Sequence, residues 1–131
     1  MVPFIKQSLI FILVLSVFTV VTLAQKKVTP KITFIELGSV RCIPCQKMQP
    51  IMKSIEEKYG NQIKVIFYDV WKQEERHYAE QYKIKVIPTQ VFLDSKGNEI
   101  MRHEGFFPEE EIDKFLLSKG LKIKKSERKT K

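Results

Sequence analysis

The sequence predicts an α/β domain built on a central mixed sheet of four strands with helices on both faces. Strand-like and helix-like segments alternate from Lys31 to Tyr82, two further β-rich runs flank a turn-rich loop at 94–98, and an amphipathic segment opening on Pro108 closes the pattern. With 131 residues, 44% of them hydrophobic, the chain has material for one compact core.

Each element has a local reason. Lys31 to Leu37 (KITFIEL) is β-rich and mostly apolar, as suits a strand covered on both faces, and Gly38-Ser39-Val40-Arg41 turns the chain into a helix. From Cys45 to Tyr59 the apolar residues Met48, Ile51, Met52, Ile55 and Tyr59 recur at helical spacing; Gly60-Asn61 stops the run, and Pro50 inside it is expected to kink it. Ile63 to Asp69 (IKVIFYD) reads as a second strand and Lys72 to Tyr82 as a polar-faced helix with Tyr78, Ala79 and Tyr82 inward. A βαβα run implies parallel pairing of these two strands. Thr89 to Leu93 and Glu99 to His103, separated by Asp94-Ser95-Lys96-Gly97-Asn98, predict an antiparallel hairpin. Pro108 and the acidic run Glu109 to Glu111 open a last helix to Ser118, with Ile112, Phe115 and Leu116 on its apolar face; Gly120 ends it.

The two ends differ from the middle. Lys6 precedes an uncharged run of sixteen residues, Leu9 to Ala24, closing on the small-residue pattern Thr22-Leu23-Ala24. Residues 1–24 therefore read as a signal peptide or an N-terminal membrane anchor. The run is short against the roughly 20 apolar residues of a spanning helix, which favours a removable signal, while Lys26 and Lys27 directly after it keep an anchor open. Either way the domain is expected outside the cytoplasm, periplasmic or secreted. Residues 25–30 form a linker, 31–119 the domain and 120–131 a basic tail. The formal charge of +8 sits at the ends: Lys119 to Lys131 carries +6, Met1 to Lys27 carries +3, and 28–118 carries −1. That distribution argues against a nucleic-acid partner and makes the tail a solvated extension or a contact to an anionic surface.

Cys42-Ile43-Pro44-Cys45 holds the only two cysteines, three positions apart at the strand-to-helix junction. So close a pair reads as redox chemistry or metal binding rather than as a disulfide framework. A cysteine at a helix start faces unpaired N–H groups that favour thiolate, which casts Cys42 as nucleophile and Cys45, one turn on, as the thiol that resolves a mixed disulfide. Arg41 is a cation beside that nucleophile. For a metal, two thiolates suffice for copper(I) or half a zinc site, and the only histidines, His77 and His103, lack ligand spacing and read as surface residues. No metal site is expected.

Strand KITFIEL, the dithiol, Pro50 five positions after Cys45, Ile87-Pro88-Thr89 before the hairpin and Gly105 after it stand in the order and near the spacing of the thioredoxin family, which the chain resembles from about Lys31 to Lys119. The resemblance implies the thioredoxin-like three-layer fold and a thiol:disulfide oxidoreductase that needs no cofactor beyond the Cys42-Cys45 disulfide. It implies that Glu36, where the family usually has aspartate, is the buried acid that moves the proton of Cys45, its pKa raised by an apolar setting. The alternative is an edge-strand glutamate turned to solvent. It further implies a cis Pro88 shaping a groove in which Ile87 pairs with an extended substrate and Thr89 follows, so Arg41, Ile43, Pro44, Ile87, Pro88 and Thr89 are the expected substrate-binding residues.

Departures from the family fall around that groove. The tryptophan usual before the first cysteine is Arg41, the inner Gly-Pro is Ile43-Pro44, and the lysine that often pairs with the buried acid is replaced by Phe67. Proline at the second inner position leans toward reduction. Trp71, the only tryptophan, is expected to serve packing rather than substrate. The resulting expectation is a monomeric extracytoplasmic reductase acting on protein thiols and disulfides, with a membrane thiol carrier as electron donor. A copper-binding chaperone and a non-catalytic docking module are the alternatives.

Overall fold

The computed structural model describes residues 28–124. The apolar N-terminal run and residues 125–131 lie outside the described residues, so the signal-or-anchor and most of the tail expectations fall there. Among the described residues no helix is long and apolar enough to cross a membrane.

Strand β1 (Ile32–Gly38) lies inside a four-stranded sheet of order β2-β1-β3-β4. It pairs in parallel with β2 (Ile63–Asp69) and antiparallel with β3 (Thr89–Asp94), which continues into a hairpin with β4 (Glu99–Glu104). Its interior place explains its composition: Phe34, Ile35, Glu36 and Leu37 are all buried. Alternating side chains go to opposite faces. Phe34 joins a core of Met48, Met52, Ile55 and Tyr59 from helix α1 (Ile43–Tyr59) and Ile112 and Leu116 from helix α3 (Glu109–Ser118). Ile35 and Leu37 pack on the other face with Val91 and the side chains of helix α2 (His77–Gln81). The mixed sheet with helices on both faces is thus observed, and Pro50 lies within α1 without ending it.

Helices α1 and α3 are fastened by Tyr59, whose hydroxyl donates to Asp113 Oδ1 at 2.9 Å, and by Lys58 Nζ at 2.6 Å from Asp113 Oδ2. Burial, followed by the Asp113 contact, pushes the Tyr59 hydroxyl up to about 12, so it remains a neutral donor.

One element is shorter than expected. The segment read as a helix from Lys72 to Tyr82 is helical only over His77–Gln81. Residues 70–76 wind through turns instead, with Lys72 N donating to Asp69 O at 2.9 Å and the Asp69 amide donating to Glu75 Oε2 at 2.6 Å. The polar run from Lys72 to Arg76 has no apolar face to bury, and the turns satisfy its backbone as well as a helix would. Tyr78, Ala79 and Tyr82 do point inward; Tyr78 stacks on Tyr68 of β2 with ring centroids 3.5 Å apart.

The carboxyl end of β1 and the amino end of β3 meet at one end of the sheet. The turn at 39–42 and the loop at 83–88 therefore converge, which is where an α/β sheet presents its functional loops.

Candidate active site

Cys42 is the N-cap of α1, with extended backbone (φ −94°, ψ 119°). Its amide donates to Ser39 O at 3.1 Å and its carbonyl accepts from Gln46 N at 2.9 Å, so the turn and the first helical bond fix its position from both sides. It is joined to Cys45 as a disulfide, with Cα atoms 5.2 Å apart. Cys42 retains 8% exposure and Cys45 none, so an incoming sulfur reaches Cys42. Of the first three helical residues, Pro44 has no N–H; the amides of Ile43 and Cys45 remain to face a thiolate, and no acid sits in the first turn to oppose one.

Asp69, at the end of β2, braces the turn. Its Oδ2 accepts from Val40 N at 3.3 Å and its Oδ1 from Trp71 N at 3.2 Å. Burial works to raise its pKa, but the Val40 amide, the Ser39 hydroxyl, the Trp71 amide and the Lys72 charge together hold it below the usual range, so it stays ionised.

Glu36 is fully buried, as expected of a proton-handling acid and unlike an edge-strand glutamate. Strand pairing lines up Phe67 of β2, Glu36 of β1, Gln90 of β3 and His103 of β4 across one face of the sheet. Gly38, two residues along β1 on that face, is the point of contact with the dithiol. A Cβ there would lie 3.1 Å from Cys45 Sγ and 3.3 Å from the Phe67 ring, and the glycine is what lets α1 approach this closely. Neither Glu36 oxygen has a hydrogen-bond partner, and Gln90 Oε1 beside it has none, while Gln90 Nε2 donates to Gly105 O at 3.1 Å. Burial raises the Glu36 pKa to about 8; the Gln90 side chain beside it, though its amide is bonded to Gly105 O, acts in the opposite direction. Three neighbouring orphan acceptors are the arrangement in which one proton on the carboxyl is stabilising. Phe67 confirms the absence of a charge partner on the β2 side.

The Ile87-Pro88 bond is cis. Pro88 and Thr89 are buried and Ile87 half-buried, with Thr89 Oγ1 donating to Val86 O at 2.7 Å and Gly105 N donating to Pro88 O at 2.7 Å. Gly105 takes φ +88°, a left-handed conformation that glycine adopts without strain, and so serves Pro88 and Gln90 at once. Arg41, Ile43 and Pro44 are exposed around the dithiol.

Trp71, read as core or surface packing, lies at the surface. It is 47% exposed, lies under the Arg41 guanidinium (5.6 Å to the ring centroid) and lines a cleft of about 600 Å³ floored by Val70, Ala79, Ile84 and Ile87. Of the two histidines, His77 is exposed, whereas His103 is half-buried and stacks on Phe107 with centroids 4.1 Å apart. Among the described residues no three His, Cys, Asp or Glu side chains gather as a metal site.

The profile of the thioredoxin-like domain family matches residues 19–119. The chain belongs to that family. Thioredoxin from Pongo abelii is 29% identical over 75 residues, 57% of this chain and 68% of that protein; the chloroplastic thioredoxin Y of Oryza sativa is 30% identical over 82 residues, 63% of this chain and 47% of that protein. This chain thus spans about half the length of the rice relative. Among solved structures, the germline-specific thioredoxin Deadhead of Drosophila melanogaster superposes with a TM-score of 0.60 at 27% identity, over 70% of this chain and 83% of that one. Family, fold and a Cys42-Cys45 pair at disulfide distance support thiol:disulfide oxidoreductase activity.

Three residues of this thioredoxin-like site escaped sequence reasoning. Gln90 gave a signal, being a polar residue at an inward position of the run TQVFL. Asp69 gave a weaker one, as an acid ending a strand. Trp71 gave none, because its neighbours in the cleft come from α2 and the loop before Pro88.

Proposed function

We propose that this protein is an extracytoplasmic thioredoxin-like reductase that breaks disulfides in other proteins. The observation that carries the reading is the asymmetry of the dithiol: an accessible Cys42 at a helix N-terminus, and a sealed Cys45 packed on the strand that holds the buried Glu36.

In the reduced protein the Cys42 thiolate attacks one sulfur of a substrate disulfide. A Cys42–substrate disulfide forms and the other substrate sulfur leaves as thiolate. Cys45 then loses its proton to the ionised form of Glu36, about a tenth of the molecules at pH 7 for a pKa of about 8, and attacks Cys42; the carboxyl so formed gives the proton up again to solvent or to the departing thiolate. The second substrate thiol departs, the substrate gains two electrons and the protein is left as the Cys42-Cys45 disulfide. A membrane thiol carrier returns the two electrons. Arg41, Ile43 and Pro44 are exposed beside Cys42, and we assign the substrate backbone to the edge at half-buried Ile87, with Pro88 and Thr89 buried behind it and shaping that edge, not touching substrate with their side chains.

The reducing direction is supported by Pro44, which withholds one amide from the helix start and so limits how far the Cys42 thiolate is stabilised; a less stabilised thiolate is the stronger reductant. The extracytoplasmic setting is supported by the Leu9–Ala24 run. Purified full-length chain in mild detergent should reduce insulin with dithiothreitol as electron source, and Cys42→Ser should abolish the activity; wild-type turnover by that variant contradicts the proposal. A reduction potential nearer to about −270 mV than to about −120 mV is expected for a reductase. A fusion of residues 1–30 to a reporter active only outside the cytoplasm should be active, and an inactive fusion removes the location.

A further inference from the structure

The cleft beside the dithiol has a lining that exchange chemistry alone does not require. Its floor is apolar, Trp71 stands half-exposed at its rim, and the charged side chains lining it, Arg76 and Lys85, are both cations. Arg41, beside Cys42, adds a third positive charge over the Trp71 ring. All three are exposed, and none makes a salt bridge among the described residues. Of the carboxylates on the neighbouring segment, Asp69 holds the Val40 and Trp71 amides and Glu75 accepts from the Asp69 amide, while Glu74 and Glu80 are exposed, do not line the cleft and form no ion pair with Arg76 or Lys85. Glu104 pairs with Thr89 from β4, on the far side of β3 from the cleft. Residues 28–118 carry −1 overall, so this positive rim is a local feature and not a reflection of general basicity.

We infer that this cleft receives the substrate segment flanking the disulfide and selects one that carries an apolar side chain with an Asp or Glu next to it. The inference rests on the proposed exchange activity and names its substrate class. An apolar side chain fits the floor formed by Val70, Ala79, Ile84 and Ile87, and the Trp71 ring under Arg41 forms one wall. The neighbouring carboxylate then meets Arg76 and Lys85, which make no ion pair among the described residues. Because Ile87 both lines the cleft and precedes the cis proline, a segment seated here is continuous with the one presented to Cys42.

Two synthetic peptides test this, each with a cysteine blocked as a mixed disulfide with 2-mercaptoethanol and differing only in Leu-Glu against Leu-Lys beside it. Neutral 2-hydroxyethyl disulfide serves as a third substrate. Full-length protein should reduce the acidic peptide with about tenfold higher kcat/KM at about 20 mM salt, the preference shrinking to about twofold at about 0.5 M. Arg76→Glu with Lys85→Glu should reverse the preference, and Arg76→Glu alone should shift it the same way. Turnover of the neutral disulfide with equal kcat/KM for both peptides overturns the cleft assignment alone, as does a preference that survives the double substitution. Failure on all three substrates overturns the exchange activity and the cleft assignment with it.

Discussion

Replacing Glu36 by Gln should turn a protein whose stability falls with pH into one that holds level. The unfolded chain gives up this proton near the ordinary 4.5, whereas the folded protein keeps it to about 8 because burial penalises the charge. Between those values the folded state binds more protons than the unfolded state, so stability is fully present below 4.5 and declines as pH rises through 8. At about 1.4 kcal/mol per pH unit the full window amounts to about 5 kcal/mol, of which about 3–4 kcal/mol falls between pH 5 and pH 8. Glu36→Gln keeps the shape and removes the titration; the extra buried N–H donors shift its stability by an amount that does not vary with pH. Urea unfolding of the oxidised wild type and variant at pH 5, 6, 7 and 8 reads the effect, because all other titrating groups cancel in the difference. The variant should gain on the wild type by about 3–4 kcal/mol across the series at unchanged m-value. A gain under about 1 kcal/mol would mean that Glu36 ionises normally, and the role assigned to it as a base near neutral pH would fall.

Other substitutions probe the supports of the site. Gln90→Leu removes the polar neighbour of Glu36 and leaves Gly105 O without its donor, so the decline of stability with pH should still begin near 4.5 but level off at a higher pH, and stability at pH 5 should drop by about 1–2 kcal/mol; an unmoved upper end separates Gln90 from Glu36. Gly38→Ala crowds Cys45 and the Phe67 ring at 3.1–3.3 Å, and chemical unfolding should show a loss of about 1–2 kcal/mol in the oxidised form, against no loss if the helix shifts freely. Asp69→Ala leaves the Val40 and Trp71 amides without acceptors and should cost about 1–3 kcal/mol at pH 7. That contribution should fade as pH falls through the depressed folded pKa of Asp69, and a pH-independent loss in acid would contradict its ionised role.

The strands were legible in the sequence because their apolar runs are long and bounded by turn residues; β2 begins and ends where IKVIFYD does. The helix Glu109–Ser118 was legible for the same kind of reason, with proline and acids at its start and glycine after its end. The segment before His77 was not, since charged residues without an apolar face carry no periodicity that distinguishes a helix from consecutive turns. At the site, the dithiol could be read from its local motif, and the cis proline only through the family resemblance. Glu36 was legible only as an acid in a strand made for burial, and its sealing depends on β2 and β3 lying to either side. Gln90 and Trp71 acquire their roles from partners far along the chain: Gln90 from Glu36 on the neighbouring strand, Trp71 from Ile87 and Arg41. Such juxtapositions follow from topology, which single-chain patterns specify only indirectly.

Covalent trapping tests the assigned chemistry most directly. Reduced Cys45→Ser protein, mixed with a disulfide-bearing protein and quenched in acid, is analysed by mass spectrometry after digestion to locate the linked cysteine. A stable one-to-one adduct through Cys42, released by dithiothreitol, is predicted, with Cys42→Ser giving none on the same timescale because Cys45 is sealed. No adduct from Cys45→Ser, or an equally fast adduct through Cys45 in the Cys42→Ser protein, would contradict it.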